Sequence, residues 1–404
     1  MPVKRQARVI VTASTFPLRE GDSTPRFILD FCRALAQAGA SCVAVVPHGP
    51  GLPRREKVEG IEVRRFRYAF PGQLEQLSSG SLIANIRRAP WKLVLVPVFS
   101  LGQWRELDRA YRELAPDYVI AHWLVPQGVV ASLLRRGRHR LILFCHGGDL
   151  ALLAKLPGGR LLAHWLDKRA FRIFAASPRL TDRLDRDLGI GRAIPLPPGF
   201  DPKLFHPAAH PFLRQEILFV GRLVPQKGVE DLLEIMPRIL EAAPRARLNI
   251  VGAGPLKRKL FALSARLGIE HAVVFHGGLA QKEVAKRMRR ARFLVFPSRS
   301  AEGFGLVALE AMASGLPVIA TRAAELELVE HGRNGLVAEG IENLSRAMGK
   351  LLADDRLHAR LRKEGISSAH PYSLEQIGRA LVKQLGLSSR GSRRSAGYAA
   401  DRSR

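Results

Sequence analysis

Short apolar runs alternate with amphipathic ones along almost the whole chain, and one proline-dense stretch divides the pattern in two. Strand-like runs at Arg8–Ala13, Ser41–Val46, Tyr118–His122, Leu141–Cys145 and Phe171–Ala175 are separated by helix-like stretches, among them Ser23–Ala38, Leu101–Leu114 and Gln127–Arg136. Such alternation builds β-α units and parallel sheets. In Ser23–Ala38 the serine suits an N-cap, Pro25 the first turn and Gly39 the stop. Pro195–Pro211 then reads PLPPGFDPKLFHPAAHP. Six prolines in seventeen residues continue neither a helix nor a central strand, so this stretch is a linker. Beyond it the alternation restarts with strand-like Ile217–Val220, Leu248–Val251, Val273–His276 and Phe293–Pro297, and with helices from Val229, from Pro255 and over Lys282–Arg290. A chain of 404 residues exceeds what one core usually organises. The pattern predicts two facing Rossmann-like domains with a ligand cleft between them.

The richest segment is SAEGFGLVALEAMASGLP, Ser300–Pro317. Glu302 precedes a turn with Gly303 and Gly305, and Glu310 follows in an apolar helix-forming run. N–H groups left free at a helix N-terminus attract anions, whereas ionised carboxylates accept hydrogen bonds from hydroxyls. A ligand with phosphate and sugar hydroxyls satisfies both, and a nucleotide-sugar is such a ligand. The segment resembles the E-x7-E signature of the retaining glycosyltransferases of family 4, which have the GT-B fold. That resemblance implies an α/β protein of two Rossmann-like domains whose last helix crosses back onto the first. The expected division is residues 1–207 for the acceptor domain, with a crossing helix near 371–386, and 208–370 for the nucleotide-sugar domain. The tail 387–404 is rich in Ser, Gly and Arg and is expected to be disordered.

Further segments carry the same resemblance. In ILFVGRLVPQKGVEDLL, Gly221 and Arg222 follow a strand and Lys227 precedes a helix. Arg grips phosphate oxygens bidentately and Lys acts as a point charge; the resemblance gives both the donor's pyrophosphate. In LNIVGAGPLKRKL, Gly252 and Gly254 turn a strand into a helix near the expected nucleotide. Lys257 stands where a dinucleotide fingerprint needs its third glycine, so NAD binding is not supported. FCHGGDL resembles the family's H-G-x-D, which assigns His146 to the donor sugar at the reacting centre. His122 ends the preceding strand, where an acceptor-side and a structural role both stand open. Glu20-Gly21-Asp22 replaces the family's usual Gly-Gly pair; Gly21 is expected to offer backbone to the ligand, and Asp22 a cap or an acceptor contact. Ala323-Ala324 replaces another Gly-Gly pair before Glu325-Leu326-Glu327.

By the family's pattern Glu302 holds sugar hydroxyls, Glu310 the ribose hydroxyls, and the N–H groups of Gly303, Phe304, Gly305 and Leu306 the diphosphate. The expected catalytic set is His146, Glu302, Arg222 and Lys227. No cofactor or metal is expected. Asp185-Arg186-Asp187 spells a metal-binding D-x-D, but interleaved arginines read as a solvated helix face.

Charge and cysteines bound the partners. Lys and Arg total 64 against 36 Asp and Glu, a net charge of +28, which points to a polyanionic surface. No nucleic-acid-binding motif accompanies it. Trp91–Phe99, WKLVLVPVF, follows Arg87 and Arg88; an interfacial membrane segment and a core element both fit. No apolar run nears the ~20 residues of a membrane span. The N-terminal run is too short for a signal peptide. Three cysteines without a C-x-x-C pair fit a reducing cytoplasm. The expectation is a cytoplasmic enzyme, peripheral at the inner membrane face, moving a sugar from a nucleoside-diphosphate sugar to a lipid-linked or cell-envelope glycan acceptor. A GT-B-like sugar-nucleotide epimerase and a basic nucleic-acid-binding protein are the alternative readings.

Overall fold

The computed structural model describes residues 6–18, 26–77, 82, 85–86, 89–134, 139–208 and 215–386. The first sheet contains β1 (Arg8–Thr12), β2 (Ser41–Pro47), β3 (Arg55–Val58), β4 (Ile61–Phe66), β5 (Tyr118–His122), β6 (Arg140–Cys145), β7 (Arg172–Ala175) and β8 (Ile194–Pro195). Their order is β3-β4-β2-β1-β5-β6-β7-β8, parallel except for the β3–β4 pair. The second contains β9 (Glu216–Val220), β10 (Arg247–Val251), β11 (Val273–Gly277), β12 (Phe293–Phe296), β13 (Val318–Thr321) and β14 (Gly335–Ala338), in the order β11-β10-β9-β12-β13-β14. This is the doubly wound arrangement, with helices covering both faces. The second-sheet strands are apolar and largely buried, as two covered faces require.

Six helices matter for the cleft: α1 (Phe27–Gln37), α2 (Leu95–Leu114), α3 (Pro178–Leu188), α4 (Val229–Ala242), α5 (Leu306–Ala313) and α6 (Leu374–Leu385). The residues foreseen as the cap and first turn of α1, Ser23 and Pro25, lie outside the described residues, as do Gly21 and Asp22. Helix α2 begins six residues before the expected Leu101, with Pro97 in its first turn. A proline there gives up an N–H that has no intrahelical acceptor anyway. Gln127–Arg136 yields only the short helix Val129–Ser132, and residues 135–138 are outside the described set.

Strands β3 and β4 escaped the sequence reading. β4 is IEVRRF, and its two arginines look like surface residues. Both are buried. Arg65 donates to Glu56 at 2.6 Å, and Arg64 to Glu62 at 2.8 Å and Glu113 at 2.7 Å. Buried charges persist when paired in this way.

Helix α6 crosses back onto the first sheet's layer. Its Ile377, Leu381 and Leu385 join the core formed by β1, β2 and α1, and Tyr118 Oη donates to the Leu385 carbonyl. The approach is close: a Cβ on Gly378 would stand 2.9 Å from the Ala34 carbonyl oxygen. Ser373 caps the helix by accepting from the Gln376 N–H. The linker is tied down at its middle, where Phe200 exchanges backbone bonds with Tyr372 and Leu374.

Gly378→Val forces α6 off α1. Urea unfolding should register a loss of about 1–3 kcal/mol; an unchanged midpoint would contradict the packing described.

Candidate active site

Strand β9 lies between β10 and β12, so the direction of strand addition reverses there. Ligands of open α/β sheets bind beyond the C-terminal strand ends at such a reversal. The loop after β9 carries Gly221, Arg222 and Lys227; the loop after β12 carries Glu302, Gly303, Phe304 and Gly305.

The two loops meet. Glu302 Oε1 accepts from Lys227 Nζ at 2.8 Å and from Ser298 Oγ at 2.7 Å. The Glu302 N–H donates to the Ala324 carbonyl at 3.0 Å. Lys227 Nζ also lies 5.1 Å from the centre of the Phe296 ring. The Lys227 and Glu302 side chains stay 18% and 20% exposed, so a ligand can reach them. Arg222 is exposed and forms no ion pair among the described residues. Its loop is laced to the loop after β10: Gly221 N–H reaches Val251 O at 3.0 Å, and Leu223 N–H reaches Ala253 O at 2.9 Å. Gly252 makes this possible, with φ of 148° and room for no side chain, since a Cβ would stand 1.8 Å from the Gly221 oxygen. Gly254 is equally tight against the Leu223 oxygen.

Helix α5 opens at Leu306 after Gly305, whose φ is 87°. Its first N–H groups lack intrahelical acceptors and face the start of the helix. Glu310 lies one turn inside α5, buried, with Gln281 Nε2 donating to its Oε1 at 2.9 Å. Burial raises its pKa to about 8, and Asp30 on α1 adds to the effect. Glu310 is therefore largely protonated at neutral pH, where the sequence reading assumed an ionised carboxylate. A neutral acid both donates and accepts, which still suits a hydroxyl pair.

The first sheet supplies the opposite wall. A Cβ on Gly303 would stand 3.1 Å from the His146 carbonyl oxygen, so the strand end of β6 abuts the glutamate loop. Phe304 packs against the cores of both sheets. Asp149 anchors the β6 turn from full burial, accepting from the Leu124 N–H at 2.8 Å and the His146 N–H at 3.1 Å. His122 and His146 stand side by side, Nδ1 to Nε2, at 2.9 Å. Phe27, Phe31, Trp123 and Phe144 surround them. Burial drives the His146 pKa down to about 4 and that of His122 well below its usual value, so both are neutral. His122 Nε2 is buried without a partner. An orphaned N–H is the rarer defect, so His122 is assigned as the Nδ1–H donor, leaving His146 an N–H at Nδ1.

Residues 24–204 match Glycosyltransferase Family 4 and residues 205–368 match Glycosyl transferases group 1. The chain is 35% identical over 293 residues to the GDP-mannose-dependent α-(1-6)-phosphatidylinositol monomannoside mannosyltransferase of Mycobacterium tuberculosis, covering 66% of this chain and 76% of that relative. The chain belongs to glycosyltransferase family 4. The glycosyltransferase has the GT-B fold. It superposes on sucrose-phosphate synthase from Thermosynechococcus elongatus with a TM-score of 0.77 at 22% identity, over 94% of this chain and 98% of that one. Against Anabaena HepE, solved with UDP and glucose, the TM-score is 0.71 at 18% identity, over 94% and 100%.

In this glycosyltransferase the structure brings Lys227 and Glu302 together and sets Gly303 against the His146 carbonyl, with Arg222 exposed on the loop after β9 and Glu310 one turn inside α5; the His146 side chain lines an apolar pocket with Phe27, Phe31 and His122. Ser298, Gln281 and Asp149 were missed as supporting residues. Only Asp149 had a signal, its place in H-G-G-D. The Ala323-Ala324 departure is absorbed: Ala324 is buried, and its carbonyl carries the Glu302 N–H. Asp185 and Asp187 lie on α3, with Asp187 paired to Arg183 at 3.1 Å.

The buried Glu310 has a pH signature. Its pKa rises from 4.5 unfolded to about 8 folded, so the folded state holds the extra proton between those values. Its contribution to stability therefore falls as pH rises through that window, by up to about 1.4 kcal/mol per pH unit. The two histidines act oppositely below pH 6.5, so wild type is best compared with Glu310→Gln, which cancels them. Urea unfolding at several pH values should show the variant losing the downward component; parallel curves would refute the assignment.

Proposed function

We propose that the enzyme is a retaining, metal-independent glycosyltransferase. It would move a sugar from a nucleoside-diphosphate sugar to a hydroxyl of a lipid-linked or cell-envelope glycan acceptor. The observation that carries this reading is the Lys227–Glu302 contact of 2.8 Å between the loops after β9 and β12, with Arg222 exposed on the same β9 loop and in no ion pair among the described residues. The β9 loop thus offers cations for a diphosphate, and the β12 loop an acid for sugar hydroxyls. The named ligands of HepE, UDP and glucose, support the donor class. The named acceptor lipid of the mycobacterial relative supports the acceptor class.

In this mechanism Arg222 and Lys227 take the diphosphate, with the first N–H groups of α5 at Gly303–Leu306. Their charge matters most as the sugar's anomeric C–O bond breaks and negative charge grows on the leaving phosphate. Glu302, released in part from Lys227, accepts from sugar hydroxyls, and Glu310 holds the ribose hydroxyls. His146 offers its Nδ1–H and its carbonyl edge to the sugar. The acceptor oxygen forms its bond on the face the phosphate leaves, and its proton passes to a phosphate oxygen. Configuration is thereby retained. No side chain is needed as base, which fits a His146 whose one ring lone pair, at Nε2, already accepts from His122. Closure of the two walls would limit hydrolysis of the donor. No helix among the described residues is long and apolar enough to cross a membrane. A lipid-linked acceptor then implies work at a membrane surface, which we place at the cytoplasmic face.

A thermal-shift panel of UDP-, GDP- and ADP-sugars selects the donor, and turnover with membrane lipid extract tests the acceptor. Arg222→Ala and Lys227→Ala should each lower kcat about 10²–10³-fold, with a chelator leaving wild-type turnover unchanged. NMR of the product should show the donor's anomeric configuration. An inverted product, or loss of turnover with chelator, would overturn the mechanism.

A further inference from the structure

We propose that the outer face of α2, with the turn beside it, is a docking surface for an anionic lipid bilayer. Helix α2 is amphipathic in an unusual sense. Its inward face carries Phe99, Gln103, Leu107 and Ala110, all buried. Its outward face is apolar too: Val98 and Leu101, with Val94 at the residue before the helix, form one stripe at helical spacing and are 44%, 43% and 77% exposed. Just before the helix, Trp91 and Leu93 are 54% and 61% exposed. Phe70, 86% exposed, belongs to the segment leaving β4. That segment is held against α2, because Phe66 packs edge-on against Phe99 and a Cβ on Gly102 would stand 2.3 Å from the Arg67 oxygen. Six large apolar side chains thus cluster on one side of the first domain with nothing over them among the described residues. Scattered exposed hydrophobics are ordinary, but a contiguous set marks an interaction surface.

The fringe of the patch says what covers it. Arg105 continues the stripe after Leu101 and is exposed. Lys92 lies 5.8 Å from the Trp91 ring centre, and Arg67 lies 5.7 Å from that of Phe70. The acids nearby are buried and matched: Glu75 accepts from the Tyr68 N–H, and Glu106 pairs with Arg109. The rim is therefore cationic, with tryptophan and long cation side chains beside aliphatic ones. This composition suits the headgroup boundary, where aromatic and cationic groups meet phosphates while aliphatic groups enter the acyl region. A second copy of the chain would bring the same cations to the same place, at a net charge of +28 per molecule, and be repelled. Arg87 and Arg88 of the same segment lie outside the described residues.

The surface deepens the lipid-acceptor reading above, and its test is independent of turnover. Full-length wild type is sedimented with phosphatidylcholine vesicles, with and without roughly one quarter phosphatidylglycerol, at low and high salt. The same is done for a Leu93→Ser, Val94→Ser, Val98→Ser triple variant and for Arg105→Glu, with circular dichroism and melting midpoint as folding controls. Wild type should bind the anionic vesicles and release in high salt. The triple variant should bind on the order of tenfold more weakly, with Arg105→Glu also weakened. Equal binding by wild type and the triple variant would overturn the proposal. So would no binding at low salt, or a wild-type dimer that the triple variant splits. Donor turnover on a soluble acceptor, unaffected by the triple variant, keeps a failure of this surface distinct from a failure of the glycosyl-transfer reading.

Discussion

Everything in the cleft is arranged around one contact between two loops that are far apart in sequence. Lys227 and Glu302 sit on the loops beyond the C-terminal ends of adjacent parallel strands, β9 and β12, and meet at 2.8 Å. Four-fifths of each side chain is out of water. A cation or an acid that far buried needs a partner, so each residue fixes the other. Ser298 holds the glutamate from one side, and the Ala324 carbonyl holds its backbone. The pair is also the natural point of exchange. A diphosphate can take the lysine and a sugar hydroxyl can take the glutamate, so binding replaces one satisfied contact by two.

The walls differ in their electrostatics. The second domain contributes cations and helix N–H groups, the first a pair of neutral histidines in an aromatic surround. Charge is thereby confined to the side where a leaving phosphate would sit. The walls are also tied together. Arg179 on α3 pairs with Glu325, and its N–H meets Glu327 at 3.1 Å. Helix α6 rests on α1, and Phe304 touches both cores. These contacts bring the His146 carbonyl against Gly303.

Much of this is legible in the sequence. The strand ends of β9, β10 and β12 stand out because apolar runs stop at Gly221, Gly252 and Pro297. The glutamate helix follows from its apolar run, and the crossing helix was expected from the family resemblance. What escaped depended on partners distant in sequence. β4 is hidden by Arg64 and Arg65, whose carboxylates come from β3, from β4 itself and from the end of α2. The His122–His146 pair arises from β5–β6 register, which aligns His122 with Phe144; nothing local marks it. The proton on Glu310 is a consequence of burial, which residue spacing does not encode. Trp91–Phe99 offered two readings; the segment forms the start of α2 and the turn before it, with Phe99 in the core and Trp91, Leu93, Val94 and Val98 exposed.

The most direct test is a crystal structure of the glycosyltransferase with the nucleoside diphosphate that the panel selects. Phosphate oxygens should lie within hydrogen-bond distance of Lys227 Nζ and the Arg222 guanidinium, with Glu302 drawn away from the lysine. A diphosphate bound elsewhere, or a Lys227–Glu302 contact undisturbed beside it, would contradict that arrangement.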